Sequence, residues 1–194
     1  MTGVQTCALP ICAIGTSVYT TQPNNTTTLI DGTSFSCPAT AAAATQLYHA
    51  FTDLNGGQIP DAALIKAVMM NTADDLGNPG PDFFYGWGRL NVWRAYVTLK
   101  DKKYIKGSVS RTDSVKTIPL SIPAGVKQVK VMLYWSDPAG SPNASKALVN
   151  DLDLTVKSAE TGQELLPWVL NTSLNLDSMR KNATRGNDRA EPLP

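Results

Sequence analysis

An α/β domain followed by an all-β one is the fold class this sequence predicts, and three observations predict it. First, residues 34–51 are dense in Ala, with Leu, Tyr and Phe, a composition of high helix propensity. Second, Leu64, Ile65, Val68 and Met69 recur at i, i+1, i+4 and i+5 and lay one apolar stripe along a second helix. Third, Val129, Val131, Leu133 and Trp135 alternate strictly with their neighbours, the period of a half-buried strand. Helical patterning stops and strand patterning begins near residue 100. The chain therefore divides into an α/β part at 11–99, a linker at 100–106 and an all-β part at 107–194, read as an incomplete β-sandwich or jelly roll.

Element by element, "ICAIGTSVYT" (11–20) reads as a buried strand running into a turn at Gly15. "TTQPNNTTTLID" (20–31) is polar and rich in Pro and Asn, a loop or short hairpin. The helix from about Ser34 to Phe51 contains Ala41, Ala42, Ala43 and Ala44, a surface smooth enough for the middle of a domain. "NGGQ" ends it. Pro60 fits the first turn of the second helix, where its missing N–H does no harm. "DDLGNPGPDFFYGWG" (74–88) is an irregular loop, and "RLNVWRAYVTL" (89–99) a third, short helix. Beyond the linker, "KTIPLSI", "QVKVMLYW" and "DLDLTVKS" are strand candidates, parted by Pro/Gly/Asn/Ser clusters at 137–145 and 158–163.

Composition narrows the function classes. Of 194 residues, 42% are hydrophobic and 17% charged, a core-forming composition. Seventeen basic residues against 16 acidic ones give no electrostatic reason to expect nucleic acid or an anionic membrane as partner. No apolar run approaches the ~20 residues that span a bilayer. "CALPICAIG" has no basic residue before it and so lacks the first part of a signal peptide. "MTGVQTCALP" resembles translated sequencing-adapter read-through, so residues 1–10 are set aside as non-native. Cys12 and Cys37 are read as small buried side chains, and their redox state stays open.

The chemistry centres on "DGTSFSCPATAAAATQLYHAF" (31–51). A serine hydroxyl attacks a carbonyl only when it is presented to a base and to its target. Gly32 admits a close backbone approach, and a serine at a helix start sits among N–H groups free to hold an oxyanion. A second reading is equally physical: Ser and Thr are favoured helix caps, and Ser34 then does no more than start its helix.

Gly32-Thr33-Ser34, three residues and then Pro38 resembles the nucleophile motif of the subtilisin-like serine proteases, the subtilases. The likeness continues in order. "ICAIGTSVYTT" resembles a family strand that often reads Ala-Pro-Gly, with Ile14 here in place of Pro. "IKAVMMNTADDLG" (65–77) resembles the second helix and its Asn-Thr-Ala turn. "FFYGWGRLNVWRA" (83–95) resembles the Tyr-Gly-x-Gly-x-x-Asn segment that closes the catalytic domain. After Pro38 the family often has His-Val-Ala-Gly where this chain has Ala39-Thr40-Ala41-Ala42; that His lies outside the triad. "VKVMLYWSDPAGSPNASKALVNDLDLTV" (129–156) resembles the β-sandwich that follows the catalytic domain in some larger bacterial subtilases.

The resemblance implies the C-terminal part of a parallel-sheet catalytic domain, truncated, and a serine endopeptidase acting on protein or peptide substrates outside the cell. It makes Ser34 the nucleophile, places the Ser34 N–H at the oxyanion, and sets Gly32, Thr33 and Phe35 along the substrate cleft. Subtilases run Asp, His, Ser along the chain, so both partners belong before Ser34. The single histidine, His49, lies 15 positions after it on the same helix. At 1.5 Å rise per residue the two stand ~22 Å apart, against the ~3 Å a general base needs. This chain alone is therefore expected to be inactive, with a non-catalytic scaffold carrying a binding or anchoring sandwich as the alternative. No cofactor is needed for the chemistry. Asp137, Asn150, Asp151 and Asp153 gather oxygen donors suited to a structural Ca²⁺, or else are solvated and turn-capping side chains.

Overall fold

The computed structural model describes residues 10–143, 148–173 and 175–186. The segment read as non-native therefore lies outside the described residues except for Pro10, as do Cys7 and the closing "RAEPLP".

The polar stretch after Gly15 forms an antiparallel hairpin. β1 (Val18–Gln22) pairs with β2 (Thr26–Ile30) in the register Val18↔Ile30 to Gln22↔Thr26, across a 3-10 turn at Pro23–Asn25. Asn24 and Asn25 take the left-handed conformation the turn requires, which Asn tolerates better than most residues. Asp31 closes the base of the hairpin by accepting the Ser17 N–H at 2.6 Å.

Three helices follow: α1 (Thr33–Leu54), α2 (Ala62–Asn71) and α3 (Val92–Lys100). Pro60 lies just before the α2 cap Asp61, rather than in the first turn. α3 starts where the Asn91 side chain accepts the Arg94 N–H at 3.0 Å, replacing a bond the first turn cannot make for itself. Leu47 and Phe51 of α1, Ile65, Val68 and Met69 of α2, and Ala95 and Leu99 of α3 form one buried cluster. Their spacing of three and four puts each set on one helix face. Burying a side chain the size of Leu47 or Leu99 contributes about 1.5–3 kcal/mol, so this seam holds the helices together. Tyr104, from the stretch read as a linker, packs on the same cluster with its ring 6.1 Å from Phe51. Lys106 then reaches back to Asp61 at 2.7 Å.

The seam covers only half of α1. Ala43 is buried and Ala44 half-buried, but Ala41 and Ala42 are exposed, because α2 and α3 meet only the later turns. The smooth alanine surface expected inside a domain is thus uncovered among the described residues. The same geometry corrects the reading of the cysteines: both are free thiols, Cys12 half-buried and Cys37 exposed on the open part of α1.

"ICAIG" does not form the expected continuous strand. It contributes one parallel bridge, Cys12↔Arg89, with Cys12 N–H donating to Gly88 O and Leu90 N–H to Cys12 O, both at 2.8 Å. Asp74 and Arg89 exchange backbone bonds at 2.8 Å in each direction. Loop 74–90 is thereby stitched to the start of the chain on one side and to the end of α2 on the other. Buried Asp82 organises the loop's interior by accepting the N–H groups of Phe84 (2.8 Å), Tyr85 (2.7 Å) and Asn78 (3.1 Å).

The expected β-sandwich over 107–194 does not assemble among the described residues. Two pairings of two-residue strands and a short helix are all that is regular there among the described residues. β3 (Val156–Lys157) pairs with β4 (Glu164–Leu165), and β5 (Trp168–Val169) with β6 (Thr184–Arg185); α4 (Leu176–Met179) lies between β5 and β6. "KTIPLSI" and "QVKVMLYW" form no strand, and Val129, Val131 and Leu133 are 49%, 40% and 39% exposed. Alternation encodes an apolar face, but a face becomes a sheet only when neighbours take up its backbone groups. At 151–156 the alternation does survive as burial: Leu152, Leu154 and Val156 are half-buried, and Asp151 and Asp153 exposed.

Gly88 carries the heaviest steric demand in this layer. Its φ is +109°, and a Cβ added there would stand 2.0 Å from the Asp74 carbonyl oxygen. Gly88→Ala is expected to destabilise the chain by about 3 kcal/mol or more, through lost loop stitching and left-handed strain. Urea unfolding of the two proteins would measure this.

Candidate active site

Ser34 is held by a close approach of two glycines. The Gly32 N–H donates to the Gly15 carbonyl at 2.7 Å, and a Cβ on Gly15 would lie 2.6 Å from the Gly32 carbonyl oxygen. No larger residue fits at Gly15 without pushing the start of α1 away. Gly15 in turn follows Cys12, which is fixed by loop 74–90. Backbone contacts thus run without a break from the helical seam to the first turn of α1.

The cap of α1 is Gly32, not Ser34. Gly32 has extended backbone (φ 167°, ψ 145°), and α1 begins at Thr33. Ser34 is the second residue of the helix, too far in for its side chain to accept from the N–H two or three places ahead as a cap does. Neither its hydroxyl nor its N–H has a hydrogen-bond partner among the described residues, and the side chain is exposed. The neighbours are engaged: Phe35 N–H donates to Gly32 O at 3.1 Å and the Ser36 hydroxyl to Thr33 O at 2.9 Å. Gly32 borders the Ser34 hydroxyl, which lies 3.1 Å from where a Gly32 Cβ would stand, with the Phe35 ring 3.5 Å from the same point. Thr33 is exposed and Phe35 half-buried.

Pro38 is the sixth residue of α1, in its second turn. The N–H it lacks is the one that would pair with the Ser34 carbonyl, and its ring crowds that same carbonyl. The backbone around Ser34 is thus left short of hydrogen bonds on its N–H and C=O sides.

The remaining sequence candidates fall elsewhere. His49 is exposed, its side chain 80% accessible, and its Nε2 faces Asp53 at 3.7 Å one turn along. It serves the helix surface, not Ser34. Asp137 and Asn150 do come together, but as partners of each other. Asp137 accepts Val149 N–H at 2.7 Å, Asn150 N–H at 3.0 Å and Asn150 Nδ2 at 2.8 Å, while Trp135 Nε1 donates to Asn150 O at 3.1 Å. Asp151 and Asp153 lie on the exposed face of the following stretch. Among the described residues no group of three or more His, Cys, Asp or Glu side chains is placed to hold an ion.

Sequence reasoning passed over Asp74, whose carboxylate gathers Asn91 Nδ2 (3.1 and 3.2 Å), Arg94 (3.2 Å) and Arg89 (3.4 Å). The Asn91 hydrogen bond, opposed by burial and helped by the two guanidiniums, holds the Asp74 carboxyl below its usual range. One acidic residue there ties the end of α2, the bridge at Arg89 and the cap of α3. The signal was an Asp followed at 15, 17 and 20 residues by Arg, Asn and Arg, legible only once the loop between them is folded. Burial, with the Asp82 charge second, pushes the Cys12 thiol up, so it is a packing group.

The stretch that carries this geometry is similar in sequence to known proteins. Residues 6–88 match the subtilase family, a match that starts within the segment set aside from the sequence. Over 84 residues the chain is 36% identical to subtilisin DY of Bacillus licheniformis, covering 43% of this chain and 27% of that protein. It is 34% identical over 97 residues to an extracellular serine protease of Serratia marcescens, covering 45% of this chain and 9% of that one. Serotype-specific antigen 1 of Mannheimia haemolytica is 38% identical over 82 residues, 42% of this chain and 8% of the antigen. The chain thus spans well under half the length of these relatives.

Two outcomes follow from the geometry. Gly15→Ala is expected to displace the first turn of α1 and cost about 1–3 kcal/mol, as overpacking does. Thermal unfolding, with amide shifts of Thr33 and Ser34, would register both effects. Burial raises the Asp137 carboxyl, but the bonds from Val149, Asn150 and Trp135 outweigh it and the net direction is down. A lowered carboxyl stabilises the fold above its unfolded value of about 3.9, and that contribution is lost as pH falls through the folded value. The Val149 and Asn150 amide shifts should therefore move in acid below about pH 4, and no longer do so in Asp137→Asn.

Proposed function

We propose that the subtilase segment at residues 6–88 supplies the nucleophile of a serine endopeptidase, with Ser34 as the attacking group. What carries the reading is the unpartnered, exposed Ser34 hydroxyl, fixed by the Gly15–Gly32 contact at the start of a helix it does not cap. The subtilase match and the serine proteases among the relatives give it its reaction class.

Ser34 Oγ adds to a peptide carbonyl carbon while its proton passes to a histidine. The Ser34 N–H, beside the helix start, donates to the oxyanion. Collapse expels the amine, which takes the proton, and water then releases the acyl group and restores Ser34. Thr33 and Phe35 flank the scissile bond, and Gly32 lets the substrate backbone pass. The acyl-transfer steps use no cofactor. Protein or peptide chains are the substrates, and the extracellular relative supports action outside the cell. No helix among the described residues is long and apolar enough to cross a membrane.

His49 is not the base, because roughly four turns of helix separate it from Ser34. His49 is the single histidine of these 194 residues, so we assign the general base and its orienting Asp to the parent protein and expect the isolated chain to be inactive. The second reading is a scaffold that keeps the serine and has lost the base, with the C-terminal segment as its working part.

In the parent protein, Ser34→Ala is expected to abolish covalent labelling by a fluorophosphonate probe and to lower kcat at least about 10⁴-fold. His49→Ala should leave both unchanged. Labelling that persists in Ser34→Ala would sink the assignment. A parent protein never labelled at Ser34, with no histidine in reach of it, would establish the scaffold reading.

A further inference from the structure

We propose that residues 166–173 and 175–186 form a clasp folded in cis on the loop after α2, bracing that loop in place of swinging free as a binding module. The centre of the clasp is Trp168. A Cβ on Gly80 would stand 3.0–3.1 Å from the indole carbons Cε2 and Cδ2, so the indole lies against bare backbone that any other residue would cover. Gly80 has φ +82°, a conformation that glycine adopts without strain. Arg185 pairs with Trp168 across the β5–β6 ladder and sets its guanidinium carbon 3.8 Å from the ring centroid. Arg185 Nη1 also donates to Leu166 O at 2.9 Å, which holds the guanidinium in place.

The loop side is equally ordered. Gly80 N–H donates to Asp75 Oδ2 at 2.9 Å, and Asn78 N–H to buried Asp82 at 3.1 Å. Asn78 Nδ2 then crosses to the Arg180 carbonyl at 3.0 Å, a bond between residues 102 positions apart. A second set of contacts engages α2 and the residues just after it. Asn71 Nδ2 donates to Lys130 O and Lys130 Nζ to Ala73 O, each at 3.3 Å, and the Lys66 ammonium stands 5.1 Å from the Tyr134 ring centroid. Among the described residues the C-terminal segment has too little regular structure of its own to stand as a separate unit. Its order is drawn from these contacts, and loop 75–82 gains order in return.

A brace of this kind works in both directions, and hydrogen exchange on the 194-residue chain reads each. Trp168→Ala is expected to speed exchange of the Asn78, Gly80 and Asp82 amides on the order of tenfold. Gly80→Ala should do the same at Trp168 and Val169. Amides of Leu47 and Leu99, in the helical seam, should keep their rates in both. Arg185→Gln, which leaves the indole, should produce a smaller change in the same direction at Asn78 and Gly80, and so decides the matter if either other variant fails to fold. Changes confined to the mutated side, in any of the three, would overturn the clasp. None of these readouts involves Ser34, so the clasp and the proteolytic reading stand or fall apart.

Discussion

Everything about the candidate site depends on one close backbone approach, Gly15 against Gly32. Its hydrogen bond of 2.7 Å is ordinary in length; what is unusual is the lack of room around it, since a single methyl group at Gly15 would meet the Gly32 oxygen. Glycine is the only residue that supplies so close a contact without strain elsewhere. The contact fixes the cap residue of α1, and the cap residue fixes where Ser34 falls on the first turn. Behind it, the Cys12 bridge and the Asp74 cluster transmit the position of α2 and α3 to Gly15. A serine two residues into a helix has little to position it from its own side chain, so the backbone has to do so.

α1 divides into two halves with different duties. Leu47 and Phe51 sit in the seam with α2 and α3 and make the helix part of a packed layer. The earlier turns carry Ala41, Ala42 and Cys37 in the open, and Ser34 at their head. Helix propensity from the alanines keeps those turns formed without neighbours, and hydroxyls at Thr40 and Thr45 bond back to carbonyls four residues earlier. The helix relies on its alanines where it is unsupported, and on packing where the seam holds it.

How much of this was legible in the sequence follows from the range of each interaction. The helices were, since their signals are periodic and local: Leu64, Ile65, Val68 and Met69 predicted the face that α2 buries. The hairpin was so only in part: Pro23 and two asparagines left a loop or a short hairpin open, and the hairpin is what forms. The close contact at Gly15 was not, because a glycine announces freedom and not the partner that needs it. Asp74 and Asp82 read as loop carboxylates, yet one ties three elements together and the other is buried with three N–H groups. Their partners are dispersed along the chain and adjacent only after the loop closes. The strands of the C-terminal part were misjudged for a related reason. Alternation at 129–135 shows that a face is apolar, but whether backbone groups find partners depends on other strands, which one strand's pattern does not contain.

The two readings of Ser34, helix cap or nucleophile, looked inseparable because both put a hydroxyl at a helix start. They differ by two residues. A cap stands before the first helical residue and accepts an N–H from the turn ahead; here that place is taken by Gly32, which has no side chain to accept anything. Ser34 lies within the first turn, among N–H groups that have no carbonyl behind them. Pro38 lacks the N–H that would pair with the Ser34 carbonyl, so the usual bond is missing on that side too. Ser34 is exposed, so water can take up its hydroxyl, and the open groups cost the fold little. Every helix start leaves N–H groups open, so what the geometry excludes is the cap reading; the open donor is what the proposed oxyanion role would need.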